Sequence, residues 1–295
     1  MALRDDDDVK IAIRNALLGS APEREAELID LWSVLEPRFQ LTDDTHDGER
    51  FVMEAGMYRY VRFNHRVVRA FWIAAFAAWE AYRAVAEAPD LEAVDLGRLA
   101  ELIKAFDRAL ESDNPELERL PDGVPEPGHY EGEPQCRAPG ELATLAVGWA
   151  LLHEVRHLQH QQEGDAADPD EKDPTRRREE ELSCDAFATQ FLLDRLGDYA
   201  GQMGVNPVAV RRKRELGVYF ALFAMTLTAR DRWQASRTHP AVQTRIDAVR
   251  ALMGHRRDEV AEAIATVAFA TLHALMPGAP SILPAPNGAT ASGDE

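Results

Sequence analysis

The segment ELATLAVGWALLHEVRHLQH, residues 141–160, carries the pattern that determines the predicted fold. Its dense apolar residues predict a largely buried helix, which then carries His153, Glu154 and His157 in the spacing HExxH. Residues four apart on a helix share a face, so both imidazoles can reach one metal ion. Glu154 lies at the edge of such a site, where it can act on a water molecule. The alternative is a pair of surface histidines on an ordinary helix.

The next predicted helix, residues 176–196, offers further carboxylates. A zinc ion in a hydrolase typically has three protein ligands and one open position. Glu181 and Asp185 share a helix face that continues as apolar residues, so both carboxylates point inward and need partners. We predict Glu181 as the third ligand and Asp185 as the hydrogen-bond partner of a ligand histidine. Glu180 also begins an apolar face, so helical geometry alone does not exclude it as the ligand.

A third element, THPAVQTRI at residues 238–246, follows two helices later. Thr238 or His239 could cap a helix that is entered through Pro240, which is the structural interpretation. In the functional interpretation, His239 or Arg245 stabilises the oxyanion that forms during peptide hydrolysis. The residues alone do not separate the two interpretations.

The rest of the chain also predicts helices, so the fold class is mainly α with at most a small β element, one short strand near Tyr130. Six prolines and four glycines between residues 112 and 140 predict a long loop, because each breaks a helix. From its place before the metal helix, this loop is predicted to form the substrate rim. Further helices are predicted at 9–18, 22–35, 49–87, 90–110, 207–233, 239–253 and 256–275. The predicted regions are an N-terminal helical region at 1–111, a Pro/Gly-rich loop or linker at 112–140, a zinc metallopeptidase core at 141–275 and a disordered tail at 276–295.

Charge and composition limit the kinds of molecule that the protein is expected to bind. The net charge of −18 disfavours nucleic-acid binding, which needs an excess of cations, and suits a basic protein or peptide partner. Two cysteines are too few for a secreted disulfide framework. The longest apolar run, residues 216–229, is too short to cross a bilayer as a helix. We therefore expect a cytoplasmic protein that binds neither nucleic acid nor membrane.

The three motifs together resemble those of gluzincin metallopeptidases. HEVRH, ELSCDAFA and HPAVQTRI are similar to the HExxH, ExxxD and HP…RI pattern of CAAX-prenyl and heat-shock membrane peptidases. This resemblance selects Glu181 over Glu180 as the third ligand. Those families have transmembrane helices that this chain lacks, so their location and substrates do not carry over.

In length and layout the chain more closely resembles the Lit-type phage-exclusion peptidases. This resemblance implies a zincin-like helical core, one Zn²⁺ per chain and a zinc endopeptidase that stays silent until an activating phage peptide appears. It further implies that elongation factor Tu is the protein substrate. His153, Glu154 and His157 match the family's motif directly.

The predicted function is a zinc metalloendopeptidase. Its ligands are His153, His157 and Glu181, and Glu154 is the general base. One alternative is a non-enzymatic, zinc-stabilised sensor or binding module, whose closed site would use Cys136 or His160 as fourth ligand. Another is a regulatory peptidase with no link to phage.

Overall fold

The computed structural model describes residues 6–35, 39–41, 53–56, 60–63, 66–112, 115–130, 132, 134–168, 170–230 and 232–282 of the chain. These residues form α-helices, a few 3-10 turns and one small sheet, so the predicted mainly α class is confirmed. The helices are α1 (Asp6–Ser20), α2 (Glu25–Leu35), α3 (Arg66–Glu87), α4 (Gly97–Glu111), α5 (Pro134–Glu163), α6 (Thr175–Leu193), α7 (Leu196–Met203), α8 (Pro207–Thr228), α9 (Val242–Met253) and α10 (Glu259–Leu275). No helix in these described ranges is long and apolar enough to cross a membrane.

Two of the three strands of the sheet lie where a helix was predicted. Strands β1 (Phe39–Leu41), β2 (Met53–Gly56) and β3 (Tyr60–Phe63) pair in the order β1-β3-β2. β1 runs parallel to β3 and β2 runs antiparallel to it. Val61 and Phe63 are both fully buried, which is the two-residue period of a strand. The predicted helix at 49–87 is therefore wrong in its first part, and a helix begins only at Arg66.

Helix α5 is the centre of the fold, because α1, α3, α6 and α8 all pack against it. Two of these helices approach so closely that a glycine is required at the crossing. A Cβ added at Gly148 would lie 2.3 Å from the Cβ of Ser20 in α1. A Cβ added at Gly217 in α8 would lie 2.4 Å from the Cβ of Leu145. The helix that carries the HExxH residues is therefore held on two sides by helices that pack closely against its backbone.

Gly148→Ala is expected to lower the free energy of unfolding by about 1–3 kcal/mol, because overpacking forces α1 and α5 apart. The measurement is urea unfolding followed by circular dichroism. Gly201→Ala in α7 is the control, since nothing lies within 4 Å of an added Cβ there. This control should be neutral or slightly stabilising. Equal stability of the two variants would contradict the crossing described here.

The N-terminal region supports helix α6. Arg24, between α1 and α2, donates to the carbonyl oxygen of Phe191 at 3.0 Å, and its guanidinium lies 3.4 Å from the centroid of that ring. On the side facing α5, Trp149 Nε1 donates to Thr189 Oγ1 at 3.0 Å. The helix predicted to carry the third ligand is thus held by residues from both predicted regions. Within the described residues these regions share one core, while their functional division stays a prediction.

Several boundaries differ from the prediction. Helix α5 begins at Pro134, inside the predicted loop, because a proline at a helix start needs no backbone N–H. The helix also continues through Pro139, which is buried. The helix predicted at 176–196 ends at Leu193, and α7, which was not predicted, begins at Leu196. No strand is found near Tyr130 among the described residues.

The start of the predicted disordered tail is ordered. Gln243 Nε2 donates to the carbonyl oxygen of Ser281 at 2.9 Å, and Ser281 N donates back to Gln243 Oε1 at 3.0 Å. Ala279 and Ile282 are buried in the core. Reciprocal hydrogen bonds and apolar burial therefore hold this segment, and residues 283–295 lie outside the described part of the chain.

Candidate active site

The two histidines of the HExxH motif face each other on α5. Their Nε2 atoms lie 3.2 Å apart. His153 Nδ1 lies 2.9 Å from Asp185 Oδ1, and His157 Nδ1 lies 2.7 Å from Glu180 Oε1. Because an ionised carboxylate only accepts hydrogen bonds, each Nδ1 carries a hydrogen, and in the neutral ring each Nε2 presents a lone pair. Two Nε2 atoms that converge in this way can bind one cation together.

Helix α6 brings a carboxylate to the same point. Glu181 Oε2 lies 3.5 Å from His153 Nε2, and Glu181 Oε1 lies 3.4 Å from His157 Nε2. Ligand atoms of the three residues all lie within 4.8 Å of one another. Glu181 Oε2 is buried and accepts no hydrogen bond, although the guanidinium of Arg245 lies 3.4 Å from it. The donor set therefore fits a divalent cation.

The charges of the site also favour a cation. Burial disfavours protonation of His153 and His157, but neighbouring acceptors outweigh this effect and raise the pKa of each above its usual value. Burial acts to raise the pKa of Glu181, yet the two histidines and Arg245 hold it well below the usual range. The carboxylate thus stays ionised, and the paired imidazoles attract positive charge.

Arg245, from α9, holds the carboxylate of Asp185, which contacts the Nδ1 atom of His153. Its Nε and Nη2 donate to Asp185 at 2.8 and 2.6 Å, and its Nη1 lies 3.4 Å from Glu181 Oε2. Burial acts to raise the pKa of Asp185, but Arg245 outweighs this effect and lowers it. The guanidinium of Arg245 is thus engaged with buried carboxylates, an arrangement that favours a positioning role over the predicted contact with substrate.

Glu154 and His239 occupy the edges of this group. Glu154 is buried next to His153, yet it is not one of the three residues whose ligand atoms converge. His239 Nε2 lies 3.5 Å from Glu181 Oε1, and its side chain is 56% exposed. Helix α9 begins at Val242 without a side-chain cap, so the predicted capping role of Thr238 or His239 is not observed. His239 therefore lies where an approaching substrate can meet it.

The two candidates for a fourth ligand lie elsewhere. Cys136 is near the start of α5, and at about 1.5 Å per residue it is roughly 25 Å from His153 along the helix. His160 instead contacts Asp165 at 2.8 Å and Ser183 at 3.2 Å through its two ring nitrogens. Neither residue closes the candidate site. This geometry removes the structural basis suggested for the closed-site alternative.

Cys184, one turn after Glu180 in α6, is a buried neighbour of the site. Burial raises the pKa of its thiol to about 11, although contact with His157 acts in the opposite direction. Near neutral pH the thiol is therefore protonated. This state suits a small packing side chain rather than a thiolate ligand.

The described part of the proline-rich loop does not border the site. Trp72 Nε1 donates to the carbonyl oxygen of Pro125 at 2.8 Å. The Tyr130 ring lies 2.9 Å from where a Cβ on Gly140 would be. At about 1.5 Å per residue, Gly140 is roughly 20 Å before His153 on α5. The predicted role of the loop as substrate rim is therefore wrong for its described residues.

Sequence reasoning missed what Glu180 does. It was kept only as an alternative ligand, but it contacts the outer nitrogen of His157 instead. In the sequence, Glu180 begins a face of α6 that continues with apolar residues. This pattern indicated that its carboxylate points inward, but it did not indicate which residue the carboxylate contacts. That partner depends on how α6 packs against α5.

Arg245→Met is expected to lower the free energy of unfolding by about 3 kcal/mol or more, because it leaves the buried carboxylate of Asp185 without a countercharge. Denaturant unfolding of the metal-free protein measures this loss. The control is Arg195→Met, which removes exposed ion pairs with Glu27 and Asp198 and should leave stability nearly unchanged. Similar stability of both variants would contradict the buried arginine–carboxylate pair.

Comparisons with known proteins agree with the motifs. A family model described as Peptidase U49 matches residues 61–267, a range that contains all three predicted motifs. The chain is 24% identical over 273 residues to the cell death peptidase of Escherichia coli strain K12, and the match covers 87% of this chain and 84% of that protein. No solved structure matches. Because the family model spans well over half of the sequence, the chain belongs to the Peptidase U49 family, which confirms the predicted kinship with a Lit-type peptidase.

Proposed function

We propose that this peptidase is a zinc-dependent endopeptidase in which His153, His157 and Glu181 hold one Zn²⁺ per chain. The observation that carries the proposal is the pair of Nε2 atoms facing each other at 3.2 Å, with both carboxylate oxygens of Glu181 within 3.5 Å of them. Two imidazoles and one carboxylate form the ligand set of catalytic zinc sites, which keep one position open. The distant Cys136 and the engaged His160 are consistent with an open site.

The chain's own residues supply the remaining chemistry. When bound, zinc would act as a Lewis acid that polarises the scissile carbonyl and lowers the pKa of water. Glu154 takes a proton from the attacking water and later passes it to the leaving amine. His239, exposed beside Glu181, stabilises the oxyanion. Asp185, held by Arg245, keeps the ring of His153 in the orientation that presents Nε2.

For the substrate we propose a protein in the cytoplasm, with elongation factor Tu as the first candidate. This choice follows from the resemblance to Lit-type phage-exclusion peptidases, and the similarity to a protein named cell death peptidase supports it. The same resemblance suggests that a phage peptide activates the enzyme. A basic activating peptide would suit the net charge of −18.

The test is incubation of the purified protein with elongation factor Tu from the same cells, with and without lysate of phage-infected cells. Glu154→Gln and a zinc chelator serve as negative controls. A new N-terminus in the factor, found by mass spectrometry and absent in both controls, would support the proposal. If the factor stays intact, the same search across the proteome separates a regulatory peptidase with another substrate from a protein without peptidase activity.

A further inference from the structure

We propose that Glu180 is a positioning residue, which fixes the ring of His157 and ties it to the segment between α5 and α6. The inference rests on the proposed function, because it gives His157 the role of a metal ligand. Glu180 does not belong to the group of converging ligand atoms. Its effect on the metal is therefore exerted through His157.

Each oxygen of Glu180 accepts a hydrogen bond from a different part of the chain. Oε1 accepts from His157 Nδ1 at 2.7 Å, and Oε2 accepts from the backbone N–H of Ala167 at 2.5 Å. The Glu180 side chain is only 14% exposed, so water competes poorly for these bonds. One carboxylate thus connects the outer face of a predicted ligand to the backbone of the α5–α6 segment.

Helix α6 positions both histidines in the same way. Asp185 bonds Nδ1 of His153, as Glu180 bonds Nδ1 of His157, and Glu181 lies between these two contacts. The pairs differ in charge balance, because Arg245 neutralises Asp185 through two hydrogen bonds. The hydrogen bonds of Glu180 come from an imidazole and an amide. Its negative charge is therefore directed towards His157, which raises the basicity of that ring as a metal ligand.

The contact with Ala167 gives the arrangement a second, independent signature. Zinc binding would fix His157, then Glu180, and hence the hydrogen bond from the Ala167 amide. Exchange of that amide with solvent should become slower when zinc is added. Zinc also stabilises the fold as a whole, so the signature is a slowing at Ala167 that exceeds the slowing at other amides near the site.

Glu180→Gln tests the proposal, because an amide group offers one acceptor oxygen where the carboxylate offers two. Either His157 or Ala167 then meets an NH₂ group in place of an acceptor. The matched control is Glu179→Gln, the same charge change at an exposed neighbouring residue. Competition with a chelator should show that zinc affinity falls about 10–100-fold in Glu180→Gln and stays within about threefold in the control. In Glu180→Gln, zinc should slow exchange of the Ala167 amide no more than that of other amides near the site.

Four outcomes would overturn the proposal. Equal zinc affinities of the two variants, with a wild type that binds zinc tightly, would overturn it and leave the proposed function intact. A melting temperature of metal-free Glu180→Gln well below that of the control, with a loss of zinc that only follows the loss of folded protein, would assign Glu180 a merely structural role. A loss of zinc as complete as in Glu181→Ala would make Glu180 a ligand. A folded wild-type protein that binds no zinc would overturn both the proposed function and this inference.

Discussion

Glu154→Gln is expected to leave zinc bound while slowing peptide hydrolysis by at least about 100-fold. Glu154 lies beside His153 but outside the group of converging ligand atoms, so the metal does not depend on it. The substitution keeps the size of the side chain and removes its ability to accept a proton. Zinc content and kcat, measured on the same preparation, test both parts of this expectation.

A matched control for Glu154→Gln lies on the same helix. Glu163→Gln removes an exposed carboxylate that pairs with Arg156, and it should change kcat less than about twofold. Hydrolysis at the wild-type rate in Glu154→Gln would remove this residue from the mechanism. Loss of zinc in that variant would instead show that Glu154 supports the metal.

His157→Ala is expected to abolish activity and to weaken zinc binding by more than about 100-fold. This loss is larger than the loss caused by removing a residue that only hydrogen-bonds to a metal ligand. The substitution removes one of two facing imidazoles and leaves Glu180 without its ring partner. Zinc should also no longer raise the melting temperature, because stabilisation by a ligand depends on its affinity for the folded state. Chelator competition and thermal unfolding with and without zinc measure these effects.

The comparison for His157→Ala is His160→Ala, one turn further along α5. The ring nitrogens of His160 contact Asp165 and Ser183, so its removal should leave zinc affinity within a few-fold of wild type. If His157→Ala retains zinc as well as His160→Ala does, the ligand assignment is wrong.

The parts of the site that follow from helical periodicity were predictable from sequence. His153 and His157 share a face because they are four residues apart in a helix, whatever surrounds that helix. The same reasoning places Glu181 and Asp185 on one face of α6. In the structure Glu181 lies beside the two histidines and Asp185 contacts His153. Spacing alone left Glu180 open in place of Glu181, and the family resemblance made that choice. That these residues bind zinc stays a prediction.

Contacts between distant segments were not predictable in this way. The sequence predicted inward-facing side chains for both Glu180 and Glu181. The packing of α6 on α5 determines which of them contacts the Nε2 atoms of the two histidines. Arg245 was one of two candidates for the oxyanion contact, because nothing in its own helix shows that Asp185 lies opposite. The predicted role of the proline-rich loop as substrate rim was wrong for the same reason. The loop precedes α5 in the sequence, but this does not indicate which end of the helix it packs against.

Where apolar residues are dense, the sequence pattern did not distinguish a strand from a helix. Val61 and Phe63 lie only a few residues before the apolar helix that begins at Arg66, so the density of apolar residues suggested one long helix. The alternation that reveals a strand spans only a few residues there, and the sheet forms through pairing with β1 and β2.

Zinc per chain in purified wild-type protein, measured beside Glu181→Ala prepared identically, tests the central claim most directly. Since Glu181 supplies the only carboxylate in the converging group of described residues, we expect one zinc in the wild type and much weaker retention in the variant. A folded wild-type protein that holds no zinc even after the metal is added would contradict the zinc peptidase. Equal retention in both proteins would contradict Glu181 as the third ligand.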